Sequence, residues 1–252
     1  MYFESHAHYD DKQFNKDRQT LLECLPQYGV DVVINSGSDL ESSYVGKQLS
    51  EQYDYIYFAA GVHPHELYHM SEKTIQQIRQ LAEHKKCVAI GEIGLDYHYD
   101  TFPKQTQKYW FEKQLSLAKL LHIPVIIHSR EASQDCFDII KKSGVEKGVI
   151  HCYSGSVEMA EEYVKMGFMI GIGGVLTYSN AKKLTEVAKK ISLEHILIET
   201  DSPYLSPVPY RGKRNDSRNL EFVVKKLSEI KGLTPLEIAN ATLKNGKNLF
   251  FS

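Results

Sequence analysis

The stretch ESHAHYD, residues 4–10, sets two imidazoles, His6 and His8, one residue apart between carboxylates. In an extended chain residues i and i+2 project to the same side, so both rings can converge on one point, and a metal ion is the natural occupant of that point. A His-x-His pair alone also describes two surface histidines, so the other ends of apolar runs decide. Polar and ionisable residues recur there: His63 and His65, Glu92 and Asp96, His128 and Arg130, His151, and Glu199 with Asp201.

His6, His8, His128 and His151 offer nitrogen while Glu92 and Asp201 offer oxygen, an inventory suited to Zn²⁺, Mn²⁺ or related ions. Six ligands exceed what one tetrahedral zinc requires, which predicts two divalent ions sharing a carboxylate, with Glu92 as the bridge. His6 and His8 are expected to hold one ion with Glu92 and Asp201, and His128 and His151 the other. Two ions roughly 3.5 to 4 Å apart acidify a bridging water and stabilise attacking and leaving oxygens, so the implied reaction is hydrolysis. Asp201 is the candidate general base. Glu199, two residues upstream, is expected to support the site from beneath. Arg130 and the loop YRGKRND, with Arg211, Lys213 and Arg214, could neutralise an anionic substrate and favour phosphate esters. Tyr97, Tyr99, Tyr153 and Tyr204 could stack bases near the rim.

Residues so far apart meet only if a fold gathers strand ends. Eight short apolar, β-branched runs provide them: residues 2–5, VDVVINSG, YIYFAAGVHPH, VAIGEIGLDY, PVIIHSR, GVIHCYSG, GFMIGIGG and HILIETDSP. None shows the polar alternation of a half-exposed sheet. Helical patterns lie between them, among them SEKTIQQIRQLAEH, YWFEKQLSLAKLLH and NAKKLTEVAKKIS, and LEFVVKKLSEIKG and TPLEIANATLKNGKNLFF follow the last strand. Strand and helix in alternation, with strands buried on both faces, predict an α/β chain of the (β/α)₈ TIM-barrel type, spanning residues 1–252 as one domain, with the doubly wound sheet as competitor. In a barrel every strand's C-terminal edge faces one rim.

Bulk properties narrow the function classes. A formal net charge of -2 argues against a chain that coats nucleic acid through overall positive charge. No stretch approaches the roughly 18 apolar residues of a membrane span, and a cytoplasmic location is expected. Cys24, Cys87, Cys136 and Cys152 are scattered, which predicts reduced thiols rather than disulfides or a zinc knuckle. Cys152 beside His151 lacks a separate base and orienting group, and is not expected to act as a nucleophile. No heptad seam stands out, so a monomer without an obligate protein partner is expected.

In this order SHAHYD, GVHPH, GEIGLDY, IIHSR, HCYSG and ETDSPYL closely resemble the TatD family of metal-dependent hydrolases. The resemblance runs from Ser5 to beyond Arg214. It implies a metallo-dependent TIM barrel that cleaves phosphodiester bonds in DNA, in several members by removing nucleotides from a 3′ end, with single strands or ends as substrate. It places the ligands on His6, His8, Glu92, His128, His151 and Asp201, and gives His63 a catalytic part near the scissile phosphate or its water. Two departures stand out. Glu4 occupies a position where the family more often has Asp, and Asp216 and Ser217 stand where the loop motif usually reads Glu-Pro. An acyl hydrolase, such as one that removes a D-amino acid from tRNA, would use the same ions, here Zn, Mn or Mg. The run VAIGEIGLDY offers Glu rather than the bridging Lys of cyclic amidohydrolases.

Overall fold

The structure is a computed structural model describing residues 1–252. Along the chain run β1 (Tyr2–Ala7), α1 (Arg18–Cys24), β2 (Val30–Ser36), α2 (Leu40–Gln52), β3 (Ile56–Ala60), α3 (Glu72–Ala82), β4 (Cys87–Asp96) and α4 (Lys104–Leu121). The second half follows with β5 (Val125–Arg130), α5 (Ser133–Ser143), β6 (Gly148–Ile150), α6 (Val157–Lys165), β7 (Phe168–Ile172), α7 (Lys182–Lys190), β8 (Ile196–Ile198), α8 (Leu220–Lys231) and α9 (Pro235–Phe250). The eight strands pair in parallel in sequence order. A parallel bridge from Ala7 to Ser202 meets the far edge, with Asp201 N–H donating to His6 O (3.0 Å) and His8 N–H to Ser202 O (2.7 Å). The chain is therefore a (β/α)₈ barrel rather than an open doubly wound sheet. No helix is long and apolar enough to cross a membrane.

The apolar runs become strands because a parallel barrel buries both faces. Every residue of β4 is buried, as expected where helices cover the outside and side-chain layers fill the inside. Phe3, Val32, Ile34, Val88, Ile126, Val149 and Leu197 share one apolar cluster with Leu249 and Phe250 of α9, and the Phe3 and Phe250 rings stack at 5.8 Å. The larger cluster joins the strands to the surrounding helices. His128 stands two residues beyond Ile126, His151 two beyond Val149 and Glu199 two beyond Leu197, so period-two projection carries each onto the side of its buried apolar neighbour, one layer nearer the rim.

Several boundaries differ from those the runs suggest. β6 and β8 hold three residues each, so His151 and Asp201 lie on the loops just past them, whereas His6 lies within β1. α4 starts five residues before the apolar pattern at Tyr109. α2 buries Ser42, Ser43, Gly46 and Ser50, a packed face that reads as polar, and Asp39 caps it in a reciprocal box with Ser42.

Candidate metal centre

Glu92 sits at the middle of the rim, its side chain 5% exposed, and its two oxygens face different partners. Oε2 lies 3.3 Å from His6 Nε2 and 3.5 Å from His8 Nε2. Oε1 lies 2.8 Å from His128 Nδ1 and 2.9 Å from His151 Nε2, with His63 Nε2 at 3.7 Å. Asp201 Oδ1 is 3.5 Å from both His6 Nε2 and His8 Nε2. Asp201 itself has φ 56°, the left-handed region that costs an L-residue energy, so the turn after β8 holds it in a strained conformation. The structure brings together all six residues proposed as ligands.

The far nitrogens show what these atoms can hold. His8 Nδ1 lies 2.8 Å from the Ser36 carbonyl oxygen, which only accepts, so the neutral ring keeps its proton there and presents a bare lone pair at Nε2. His128 Nε2 lies 2.9 Å from Asp96 Oδ2, which puts the proton on Nε2 and leaves Nδ1 bare toward Glu92 Oε1. His6 Nδ1 meets Ser36 Oγ at 3.1 Å. Lone pairs and carboxylate oxygens thus point at one another without protons between them. Such a cluster repels itself unless positive charge enters, whether as extra protons or as cations. Without ions the histidines respond: burial lowers the basicity of His8, but the hydrogen bond to Asp201 and the charges of Glu92, Asp10 and Asp201 outweigh it and lift the ring to about 9. Burial alone would raise Glu92, but facing His151, His6, His63 and His128 hold it well below the usual carboxylate range. Three groups of donor atoms lie within 4.8 Å of one another, namely His6, Glu92 and His151; His6, His8 and Asp201; and His63, Glu92 and His128. The donor set, imidazole nitrogens with carboxylate oxygens, fits divalent metal.

His63 Nδ1 accepts the His65 N–H at 3.2 Å, so the neutral ring carries its proton on Nε2, the edge that faces Glu92. Burial pushes His63 well below the ordinary imidazole value. Two residues that sequence reasoning left without a role support the cluster: Ser36, which touches both His6 and His8, and Asp96, whose Oδ2 holds His128 and lies 3.3 Å from His65 Nε2. Asp96 stands out in the sequence beside Glu92 at the end of its run, though without a task; no signal marks Ser36. Glu199 is fully buried, accepts the Cys152 N–H, and lies 3.6 Å from His151 Nδ1, beyond hydrogen-bond reach. Burial holds the Cys152 thiol well above its ordinary range.

A cavity of about 660 Å³ opens over the cluster, and Tyr99, Arg130 and Tyr204 line it. The Arg130 guanidinium sits 5.0 Å from the Tyr99 ring centre. The other proposed substrate residues do not line this cavity. Arg214 makes a two-pronged ion pair with Asp17 at 2.6 and 2.7 Å and lies over Phe14, so its charge is already satisfied by the protein. Arg211 is stacked on Tyr178 at 4.3 Å on the neighbouring loop. Tyr153 is buried with its hydroxyl donating to Ser156 O, and Tyr97 donates to Asp135 Oδ2; both are tied to the body of the fold rather than presented as stacking surfaces.

The family model described as TatD related DNase matches residues 3–251. The chain belongs to the TatD family. Among its TatD relatives, YabD of Bacillus subtilis strain 168, described as an uncharacterized metal-dependent hydrolase, is 42% identical over 252 residues, spanning 99% of each chain. YjjV of Escherichia coli K12, a TatD homologue of known crystal structure, superposes with a TM-score of 0.94 at 34% identity over 100% of this chain and 98% of that one. A TatD-family hydrolase of Entamoeba histolytica gives a TM-score of 0.89 at 25% identity, covering 99% and 98%.

Proposed function

We propose that this TatD-family metal-dependent hydrolase cleaves phosphodiester bonds at the ends of DNA strands, with His6, His8, Glu92, His128, His151 and Asp201 holding two divalent ions. The observation that carries the reading is the meeting of bare imidazole nitrogens and carboxylate oxygens around Glu92, which demands positive charge of the kind a phosphate also seeks. Bound divalent ions supply an acidified water and positive charge against a phosphoryl oxygen.

The chain's own residues do the rest. Glu92 commits one oxygen to each half of the cluster. Asp201 turns Oδ1 to His6 and His8, and its other oxygen is available to take the proton of the attacking water. His63, neutral and with its proton on Nε2, donates to a non-bridging phosphate oxygen. Arg130 and Tyr99 at the mouth hold the flanking nucleotide by charge and stacking. The TatD related DNase description of the matching family model supports a DNA substrate.

A second reading has its own support: Asp10, Asp11 and Glu66 also line the cavity, against the single guanidinium of Arg130, and such a mouth suits a substrate bearing an ammonium group, as an aminoacyl ester does. A side-by-side assay separates them. End-labelled single-stranded DNA and aminoacyl-tRNA are incubated with enzyme loaded with Mn²⁺, Mg²⁺ or Zn²⁺. Stepwise nucleotide release that stops with chelator is expected; acyl cleavage with intact DNA would overturn the phosphodiester reading.

A further inference from the structure

The seam where β1 meets the β8 side of the barrel carries both His6 and Asp201, and it is joined by a single bridge, two backbone hydrogen bonds and the Ser5 hydroxyl, which donates to Ile198 O (3.0 Å). Beneath it lies Glu4, a fully buried carboxylate. Oε1 accepts the N–H of His6 (3.3 Å) and of Thr200 (2.8 Å). Oε2 accepts the hydroxyls of Thr200 (2.6 Å) and Ser217 (2.8 Å). Ser217 is held in turn by Tyr9, whose hydroxyl lies 2.7 Å from Ser217 Oγ and accepts the Ser217 N–H at 2.9 Å. Thr200 Oγ1 also meets Ser202 Oγ. One carboxylate thus joins the residue before Asp201, the backbone of His6 and the end of the long loop after β8.

The side-chain lengths explain the pairing. Ser217 supplies both a hydroxyl to Glu4 and an N–H to Tyr9, and proline at that place would supply neither. The longer arm of glutamate at position 4 reaches the hydroxyl; aspartate would withdraw the carboxylate by about 1.5 Å. Glu4 and Ser217, which belong to the two departures named above, therefore touch.

We propose that Glu4, braced by Ser217, is a positioning residue for one half of the metal centre: it sets the separation of His6 from Asp201 and so governs ion affinity at His6, His8 and Asp201, leaving the His128 and His151 half largely untouched. It contacts no substrate and acts only through the backbone at His6 and Thr200. The inference rests on the two-ion reading of the cluster.

The test is stepwise calorimetric titration of metal-free protein with Mn²⁺ or Zn²⁺, in which His8→Ala and His128→Ala identify which step belongs to which half. Glu4→Asp is expected to weaken the His6, His8 and Asp201 step by about tenfold or more, the range of lost support around a metal ligand, while the other step moves by less than about threefold. Ser217→Ala, which leaves three of the four donors to Glu4 in place, is expected to weaken the same step by a smaller factor, and it decides the matter if Glu4→Asp fails to fold. Glu4→Gln keeps the reach of the side chain and the carbonyl that accepts from the two N–H groups, but its amide faces the Thr200 and Ser217 hydroxyls, which already accept from Ser202 and Tyr9, so it is expected to weaken the same step by less than Glu4→Asp does. Equal weakening of both steps, or of neither, in the folded variants would overturn the proposal. A wild-type protein that takes up fewer than two ions would instead overturn the two-ion reading beneath it.

Discussion

Asp96→Asn is the substitution whose effect the geometry defines most closely. Asp96 Oδ2 lies 2.9 Å from His128 Nε2, and Oδ1 accepts the His98 N–H at 2.9 Å, all within a side chain 1% exposed. An asparagine has one acceptor for these two donors. If its oxygen faces His128, its NH₂ opposes the His98 N–H; if it faces His98, the NH₂ forces His128 to accept at Nε2 and carry its proton on Nδ1, the atom now bare toward Glu92. The first arrangement leaves a buried N–H unpaired, at about 1–3 kcal/mol. The second removes a ligand lone pair, and lost outer-shell support costs about 10- to 100-fold in metal affinity, or about 1.4–2.8 kcal/mol. Metal-free melting should therefore drop, or affinity at the His128 half should fall by that factor, or both. Calorimetric titration with Mn²⁺ beside a denaturant melt measures each. A variant with wild-type stability and affinity within about twofold would refute the role given to Asp96, since the amide cannot satisfy both neighbours.

Three further outcomes follow from particular residues. Burial outweighs the four hydrogen bonds to Glu4 and lifts its carboxyl from 4.5 to about 8. A raised folded value gives stability that is complete below the unfolded value and lost as pH rises to about 8, so the contribution of Glu4 to metal-free stability should fall across that window, and Glu4→Gln should flatten that part of the slope in urea melts; parallel profiles would contradict it. Burial pushes the Cys87 and Cys136 thiols up to about 12, so iodoacetamide at pH 8 should spare both until the protein unfolds, and rapid labelling of either in the native state would count against the packing. At Gly94, φ is +149° and an added Cβ would stand 1.9 Å from the His128 carbonyl oxygen. Gly94→Ala should therefore cost more than about 3 kcal/mol, read as a lowered denaturant midpoint, and a shift under about 1 kcal/mol would be inconsistent with the strand pairing.

Much of this molecule can be read from its residues because a parallel barrel writes its plan in one dimension: buried strands are continuous apolar runs, and the polar residue that ends each run lies on the rim. That is why His128 and His151, which end the runs PVIIHSR and GVIHCYSG, are legible as rim residues in the sequence. What stayed hidden depends on distance across the fold. Arg214 looks free in its basic loop, yet its partner Asp17 lies 197 positions away. Ser36 holds two imidazoles with one hydroxyl and one carbonyl, and a serine at a strand end carries no mark of that task. α2 hides for a local reason, since a face of serines and glycine can pack closely without giving an apolar period.

Glu92 is proposed to serve both halves of a two-ion centre, and the most direct measurement is the metal content of untagged protein equilibrated with Zn²⁺ or Mn²⁺ and freed of excess ion, compared with Glu92→Gln prepared alongside. Two ions per chain in the wild type, and one or none in the variant whose amide nitrogen cannot ligate, are predicted. Fewer than two in the wild type, or two held by Glu92→Gln with unchanged affinity, would show that Glu92 does not hold an ion pair together.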